Sequence, residues 1–166
     1  IIDLVKLDLE VYGFDEKPGD LINAAKKCSA SFAPWMELNG LQLEFKSNCS
    51  TFWTSFDHYS WESIVFTLMH HAVTHSKEGT KIQFTIEIFP EYQLNHHQIK
   101  LEVKNVDSLF FKKQQFDGKE DQHDSFDGKK TDFGIGLTLV KNIIESQGGK
   151  FWIKSVHSGS SLNVFV

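Results

Sequence analysis

The sequence predicts an α/β two-layer sandwich, with helices on one face of a mixed, mostly antiparallel sheet. Two segments place apolar residues at helical spacing, and several shorter ones alternate apolar with polar as strands do. The order is helix, strand, helix, strand, strand, long loop, glycine turn, helix, strand, strand, so helices and strands are interleaved.

In chain order, "DLINAAKKCSASF" (Asp20 to Phe32) reads as a helix with Asp20 as its N-cap, and "LQLEFKS" (Leu41 to Ser47) alternates as a strand. "YSWESIVFTLMHHAVTHS" (Tyr59 to Ser76) puts Trp61, Ile64, Val65, Leu68 and Ala72 on one helical face, with Ser60 or Asp57 as cap; this is the central helix. "KIQFTIEIF" (Lys81 to Phe89) and "QIKLEVKNV" (Gln98 to Val106) alternate cleanly and pair as antiparallel neighbours across "PEYQLNHH". The segment from Asp107 to Asp132 is polar, glycine-punctuated and without period. A loop of this length inside a compact domain is either functional or disordered, and its charges and glycines suit a mobile lid.

"TDFGIGLTLVKNIIESQGGKFWIKS" (Thr131 to Ser155) closes the pattern. Ile135, Leu139 and Ile143, with Val140 and Ile144, mark an amphipathic helix that stops at Gly148-Gly149. "KFWIKS" and "LNVFV" follow as short strands. Glycine at the helix entrance has two uses, plain turn chemistry or close approach of the backbone to another group.

The composition is that of one soluble globular domain: 166 residues, 40% hydrophobic and 13% aromatic. A net charge of -5 and a pI near 5.9 give no electrostatic reason for a nucleic-acid or anionic-membrane partner. No run of about 18 apolar residues occurs, and Asp3, Lys6, Asp8 and Glu10 interrupt the amino end, so neither a spanning helix nor a signal peptide is expected. The start without methionine suggests a fragment cut from a longer chain. Cys28 and Cys49 fit no metal or redox motif and are expected to be free thiols in a reducing compartment. All 17 basic residues are lysines, so any side-chain contact to an anion uses an ammonium point charge rather than a bidentate guanidinium.

His71 and His75 stand at i, i+4 with His70 adjacent, the spacing of a helical two-histidine metal site. No Glu or Cys completes a recognised pattern, and solvent- or cleft-facing histidines are the expected reading. His58, His96, His97, His123 and His157 are read as surface residues. Trp53, Phe56, Tyr59, Trp61 and Phe66 are assigned to the core, whereas Phe110, Phe111 and Phe116 lie in the polar loop.

From about Leu41 to Val166 the chain resembles the catalytic, ATP-binding domain of sensor histidine kinases, in the superfamily that also holds gyrase, Hsp90 and MutL. "GIGLTLVKNIIESQGGKFWIKS" is similar to that family's second glycine box and the helix, turn and strand after it. "SGSSLNVFV" is similar to its closing strand, and "FDHYSWESIVFTLMHHAVTHS" to the stretch in which an Asp, here Asp57, precedes the asparagine-box helix.

The resemblance implies ATP and Mg²⁺ as cofactors, with adenine at Asn105 and phosphates near Gly134, Ile135, Gly136 and Leu137. Phe116 becomes a lid aromatic near the nucleotide, and Lys77 or the loop lysines Lys112, Lys113, Lys119, Lys129 and Lys130 reach phosphate or remain solvated charges. It further implies an upstream phosphoacceptor dimerisation domain and a response regulator or receiver domain as partners. Residues 1–19 are then the linker or tail of the upstream domain and 20–166 the ATP-binding domain.

The departures concern the site. Where the family carries two asparagines and a lysine on the central helix, this chain has Thr67, His71 and Thr74, followed by His75; the metal-binding position is His71. The first glycine box is "NVDSL", with Asn105, Asp107 and Leu109 in place of Asp-x-Gly-x-Gly, and Asp132 stands where the second box begins with glycine. Asn105 keeps an acceptor oxygen for an adenine amino group. His71 is a poor substitute for an oxygen ligand of Mg²⁺. Three functions remain open on the sequence: the ATP-binding domain of a histidine kinase, a degenerate regulatory module without phosphoryl transfer, and an anti-sigma type kinase acting on serine.

Overall fold

The computed structural model describes residues 14–91, 96–105, 135–156 and 159–165. In chain order the elements are β1 (Glu16–Asp20), α1 (Leu21–Ala30), α2 (Ala33–Leu38), β2 (Gln42–Ser47), β3 (Trp53–Asp57), α3 (His58–His75), β4 (Lys81–Glu91), β5 (His96–Asn105), α4 (Ile135–Ser146), β6 (Lys150–Val156) and β7 (Gly159–Phe165). Five strands form one sheet in the order β2-β4-β5-β7-β6, and β1 pairs with β3 in a separate antiparallel ribbon. The sheet is mixed, as expected. β2 lies parallel to β4, because α3 carries the chain across between them, and the other pairs are antiparallel.

Alternation fixes which face is covered. Along β4, Ile82, Phe84, Ile86 and Ile88 are buried while Gln83, Thr85 and Glu87 between them are half-exposed. Leu101 and Val103 of β5 and Phe151 of β6 extend that apolar surface. On it lie Leu21, Ile22 and Ala25 of α1, Met36 of α2, the buried stripe of α3, and Leu137, Val140, Ile143 and Ile144 of α4. α3 is the middle helix of the layer, packed on α1 at one side and α4 at the other.

Local chemistry sets the element ends. One oxygen of Asp20 accepts from Ile22 N (3.2 Å), Asn23 N (3.3 Å) and Phe52 N (3.0 Å), so it caps α1 and also ties that helix to the segment leading into β3. The expected N-cap is therefore correct, with a role in tertiary structure besides. The Asn48 side chain donates to Ile88 O and accepts from Ile88 N, each at 2.9 Å, and so extends the parallel ladder past the end of β2. α4 ends in a Schellman turn: Gly149 N donates to Ile144 O (2.9 Å), Gly148 N to Glu145 O (3.0 Å), and Gly148 has φ +76°.

The structure corrects one expectation about the core. Trp61 is buried, its indole N–H donating to Leu21 O at 3.1 Å, and Phe56 packs partly against the core. Trp53, Tyr59 and Phe66, assigned to the core from their clustering, are instead 72%, 81% and 52% exposed. The reason is geometric: Trp53 sits in the separate ribbon, and Tyr59 and Phe66 fall off the buried stripe of α3, which runs through Ser60, Trp61, Ile64, Val65, Leu68, Met69, Ala72 and Val73.

Three elements escaped sequence reading: β1, α2 and β3. β1 begins in the stretch read as a linker and ends at Asp20. The short helix α2 has Pro34 in its first turn, a start signal. Cys28 and Cys49 are free. Among the described residues no helix is long and apolar enough to cross a membrane. The loop from Asp107 to Asp132 lies outside the described residues.

Asp20→Ala removes the acceptor shared by three backbone donors and is expected to cost about 1–2 kcal/mol of stability. Asp20→Asn keeps the oxygen and is expected to cost less. Urea denaturation of both variants checks this; equal losses would show that the shared acceptor is not what Asp20 contributes.

Candidate functional site

α3 begins at Asp57, the last residue of β3. Its carboxylate accepts from Ser60 N (2.6 Å) through one oxygen and from Asp15 N (2.8 Å) through the other, so the helix start and the incoming chain are held by one side chain. Burial alone would raise this carboxyl, but the Ser60 and Asp15 hydrogen bonds and the neighbouring His58 outweigh it and hold the group below its ordinary value. The cap is thus Asp57 rather than Ser60. His58 lies flat on Phe56, with ring centroids 4.1 Å apart, and its Nε2–H donates to Lys17 O at 3.2 Å.

With the apolar stripe of α3 seated on the core, Thr67, His71, Thr74 and His75 fall on the side of the helix next to it, because they recur at i, i+4 and i, i+3. Thr67, His71 and His75 are half-buried and Thr74 is exposed. The His71 and His75 rings meet at a centroid separation of 4.4 Å. Burial, then the neighbouring His75 and His70, push the His71 imidazole down to about 4, and burial followed by His70 lowers His75. Both rings are therefore neutral near pH 7.

The start of α4 reaches this helix. A Cβ placed on Gly136 would stand 3.1 Å from Thr67 Cγ2, closer than side chains ordinarily approach, so the glycine is what lets the α4 backbone come up against Thr67. Of the two uses open to a glycine at a helix entrance, this is close approach. Leu137 is buried, 4% exposed, so what it can offer a ligand is its backbone. Ile135 is the first residue of α4. Gly134, Asp107 and Phe116 lie outside the described residues.

Asn105 is the last residue of β5, in register with Ile82 at the start of β4 and with Ser160 of β7. Since β4 starts just after the end of α3, Asn105 stands at the sheet end that the loop following α3 enters. Thr67 and Gly136 are brought together, His71 and His75 are brought together, and Asn105 is placed at the strand end near that end of α3.

An aromatic network on the outer side of α3 was not anticipated. Phe66 packs on Phe32 (5.1 Å) and on His70 (6.1 Å), and Trp35 approaches His70 at 5.3 Å. The Pro34 and Asn39-Gly40 signals that bracket α2 were the clue to the short helix that carries Trp35.

Residues 57–166 match the model of the family of histidine kinase-, DNA gyrase B- and HSP90-like ATPases, and the chain belongs to that family. Its fold is that of histidine kinase catalytic domains. It is similar to the nucleotide-free catalytic domain of the histidine kinase ThkA, with 17% identity, 92% of this chain and 96% of that chain covered, and a TM-score of 0.69. It is similar also to the Acinetobacter baumannii histidine kinase AdeS, with 16% identity, coverage of 99% and 74%, and a TM-score of 0.68. A third similar structure is ThkA in complex with the response regulator protein TrrA, at 16% identity, coverage of 99% and 46%, and a TM-score of 0.68. A search of curated proteins finds no match.

Two predictions follow from this geometry. Gly136→Val is expected to cost about 1–3 kcal/mol by overpacking against Thr67, and the cost is expected to shrink in a Thr67→Ser background, which lacks Cγ2. A double-mutant cycle by chemical denaturation reads the coupling; additive costs would remove the contact from the account. For His71, the ordinary value of 6.5 falls to about 4 in the fold, so between those values the unfolded chain binds more protons than the folded one. Stability is then fully present above about pH 6.5 and falls, by on the order of 2 kcal/mol, as pH drops toward 4. His71→Asn is expected to flatten that part of the stability–pH curve, measured by urea midpoints across the range.

Proposed function

We propose that this chain is the ATP-binding catalytic domain of a two-component sensor histidine kinase, with residues 20–166 as the domain and 1–19 as the connection to an upstream phosphoacceptor dimerisation domain. The observation that carries the reading is the close approach of α4 to α3 at Gly136 and Thr67, within a chain of the ATPase family. That contact sets a helix amino terminus, a place suited to anionic groups, beside the side of the central helix that carries Thr67. Adenine lies at Asn105 and the phosphates near Gly134, Ile135, Gly136 and Leu137, with Phe116 over the nucleotide. The γ-phosphate goes to a histidine on the separate domain and from there to a response regulator, in the cytoplasm.

The donor set does not fit Mg²⁺. That ion requires a near-octahedral shell of oxygens, whereas the residues on this side of α3 are two hydroxyls, Thr67 and Thr74, and two imidazoles, His71 and His75. This observation favours a second reading, in which the domain is a degenerate regulatory module that binds nucleotide weakly and transfers no phosphate.

The two readings separate on metal dependence. Adenine-nucleotide binding is expected to be weak and nearly independent of Mg²⁺, because a lost metal bridge costs on the order of 1–3 kcal/mol, tenfold or more in affinity. His71→Asn combined with Thr74→Lys is expected to restore Mg²⁺-dependent binding. Calorimetric titration of both proteins with ATP, in Mg²⁺ and in chelator, decides: tight Mg²⁺-dependent binding by the unmodified chain would overturn the degenerate reading, and no binding by either protein would overturn nucleotide binding itself.

A further inference from the structure

The mismatch with Mg²⁺ has a positive side. Imidazole nitrogens are good ligands for zinc, nickel and copper, and two of them at i, i+4 on one helix can share an ion. Here the spacing is realised in three dimensions. The His71 and His75 rings are in contact, with centroids 4.4 Å apart and planes inclined at 52°. A shared ion needs one nitrogen of each ring at about 2.0–2.1 Å from it, which rings in contact on adjacent turns can reach by side-chain rotation. Both rings are half-buried on a helix whose adjoining side is locked into the core, so they are held near one another instead of being gathered from a flexible surface. Among the described residues no group of three or more His, Cys, Asp or Glu could hold a metal ion, so from those residues this pair offers two ligands.

We propose that His71 and His75 form a two-imidazole half-site for a divalent transition ion of the zinc and copper class, completed by ligands from outside this pair. In so far as the nucleotide-binding reading above holds, those outside ligands are phosphate oxygens of the nucleotide, and the ion that bridges phosphate to α3 is a nitrogen-preferring one. The chemistry is selection by donor type: replacing an oxygen ligand with imidazole disfavours Mg²⁺ and favours Zn²⁺, Ni²⁺ and Cu²⁺.

The test uses the chain as it stands, with Zn²⁺ and Ni²⁺ as probes. Calorimetric titration without nucleotide is expected to show one site that weakens by about tenfold or more in His71→Asn and equally in His75→Asn, since losing even an outer-shell partner costs metal sites about 10- to 100-fold. His70→Asn, which changes the adjacent imidazole, is expected to bind as the unmodified chain does. Thermal melts give a second readout: Ni²⁺ raises Tm of the unmodified chain and of His70→Asn, and leaves Tm of the other two variants unmoved. Unchanged Zn²⁺ and Ni²⁺ affinity in His71→Asn and His75→Asn would assign the metal to other histidines and overturn the half-site, as would no binding by the unmodified chain. ATP titration in Zn²⁺ and in Mg²⁺ keeps the two readings apart. Zinc binding without any nucleotide binding overturns the proposed function and leaves the half-site standing. Nucleotide binding with no zinc binding does the reverse.

Discussion

The helical layer depends on one burial event, the seating of α3 on the sheet. Ile64, Val65, Leu68 and Met69 are at most 1% exposed, and Ala72 and Val73 at most 4%, between β5 below and α1 and α4 at the sides. Each large side chain among them contributes about 1.5–3 kcal/mol relative to solvent, so rotation of α3 about its axis is resisted from three directions. That fixes everything else the helix carries. Thr67, His71 and His75 cannot leave the side they share, and Phe66 and His70 cannot leave the outer side, because the core has already chosen which stripe faces inward.

Around that helix the contacts are made by small or shared groups. Gly136 admits the α4 backbone at Thr67, where an added Cβ would stand 3.1 Å from Cγ2 and one of the two would have to give. Asp57 and Asp20 each serve backbone donors from two different segments, so the helix starts and the β1–β3 ribbon are held by the same two carboxylates. The stacked pair of Phe56 and His58 closes against Gly19, where an added Cβ would stand 2.7 Å from the imidazole. The ribbon is thereby fastened to the beginning of α3 and pairs with no strand of the five-stranded sheet, and Trp53 stays largely in solvent.

The sequence was most readable where a single period ran through a long element. The apolar residues chosen for α3 at Trp61, Ile64, Val65, Leu68 and Ala72 are all buried, and the alternation in β4 and β5 correctly gave an antiparallel pair. It failed where burial depends on partners distant in sequence. Trp53 and Tyr59 cluster near buried residues in the chain but stand largely in solvent in space, and clustering along the chain carries no information about that. β1 and β3 were missed because the five-residue strands hold Pro18 and Gly19 or alternate weakly. At the site, the helical spacing of His71 and His75 gave their contact in advance, whereas the closeness of Gly136 to Thr67 joins residues far apart in the chain and needed the fold.

The half-burial of His71 has consequences for chemistry as well as stability. Removing an imidazole from water disfavours its cation, so the ring stays neutral well below ordinary pH and keeps a lone pair on one nitrogen. A neutral imidazole beside a second one repels neither a phosphate nor a metal ion, but it cannot neutralise phosphate charge as a lysine would. Thr74, exposed one turn along, has no charge to supply either. Anion attraction on this side of α3 must then come from the α4 amino terminus, from lysines elsewhere, or from an ion that the imidazoles themselves bind. Only the last of these uses the residue types that distinguish this helix from the pattern it resembles.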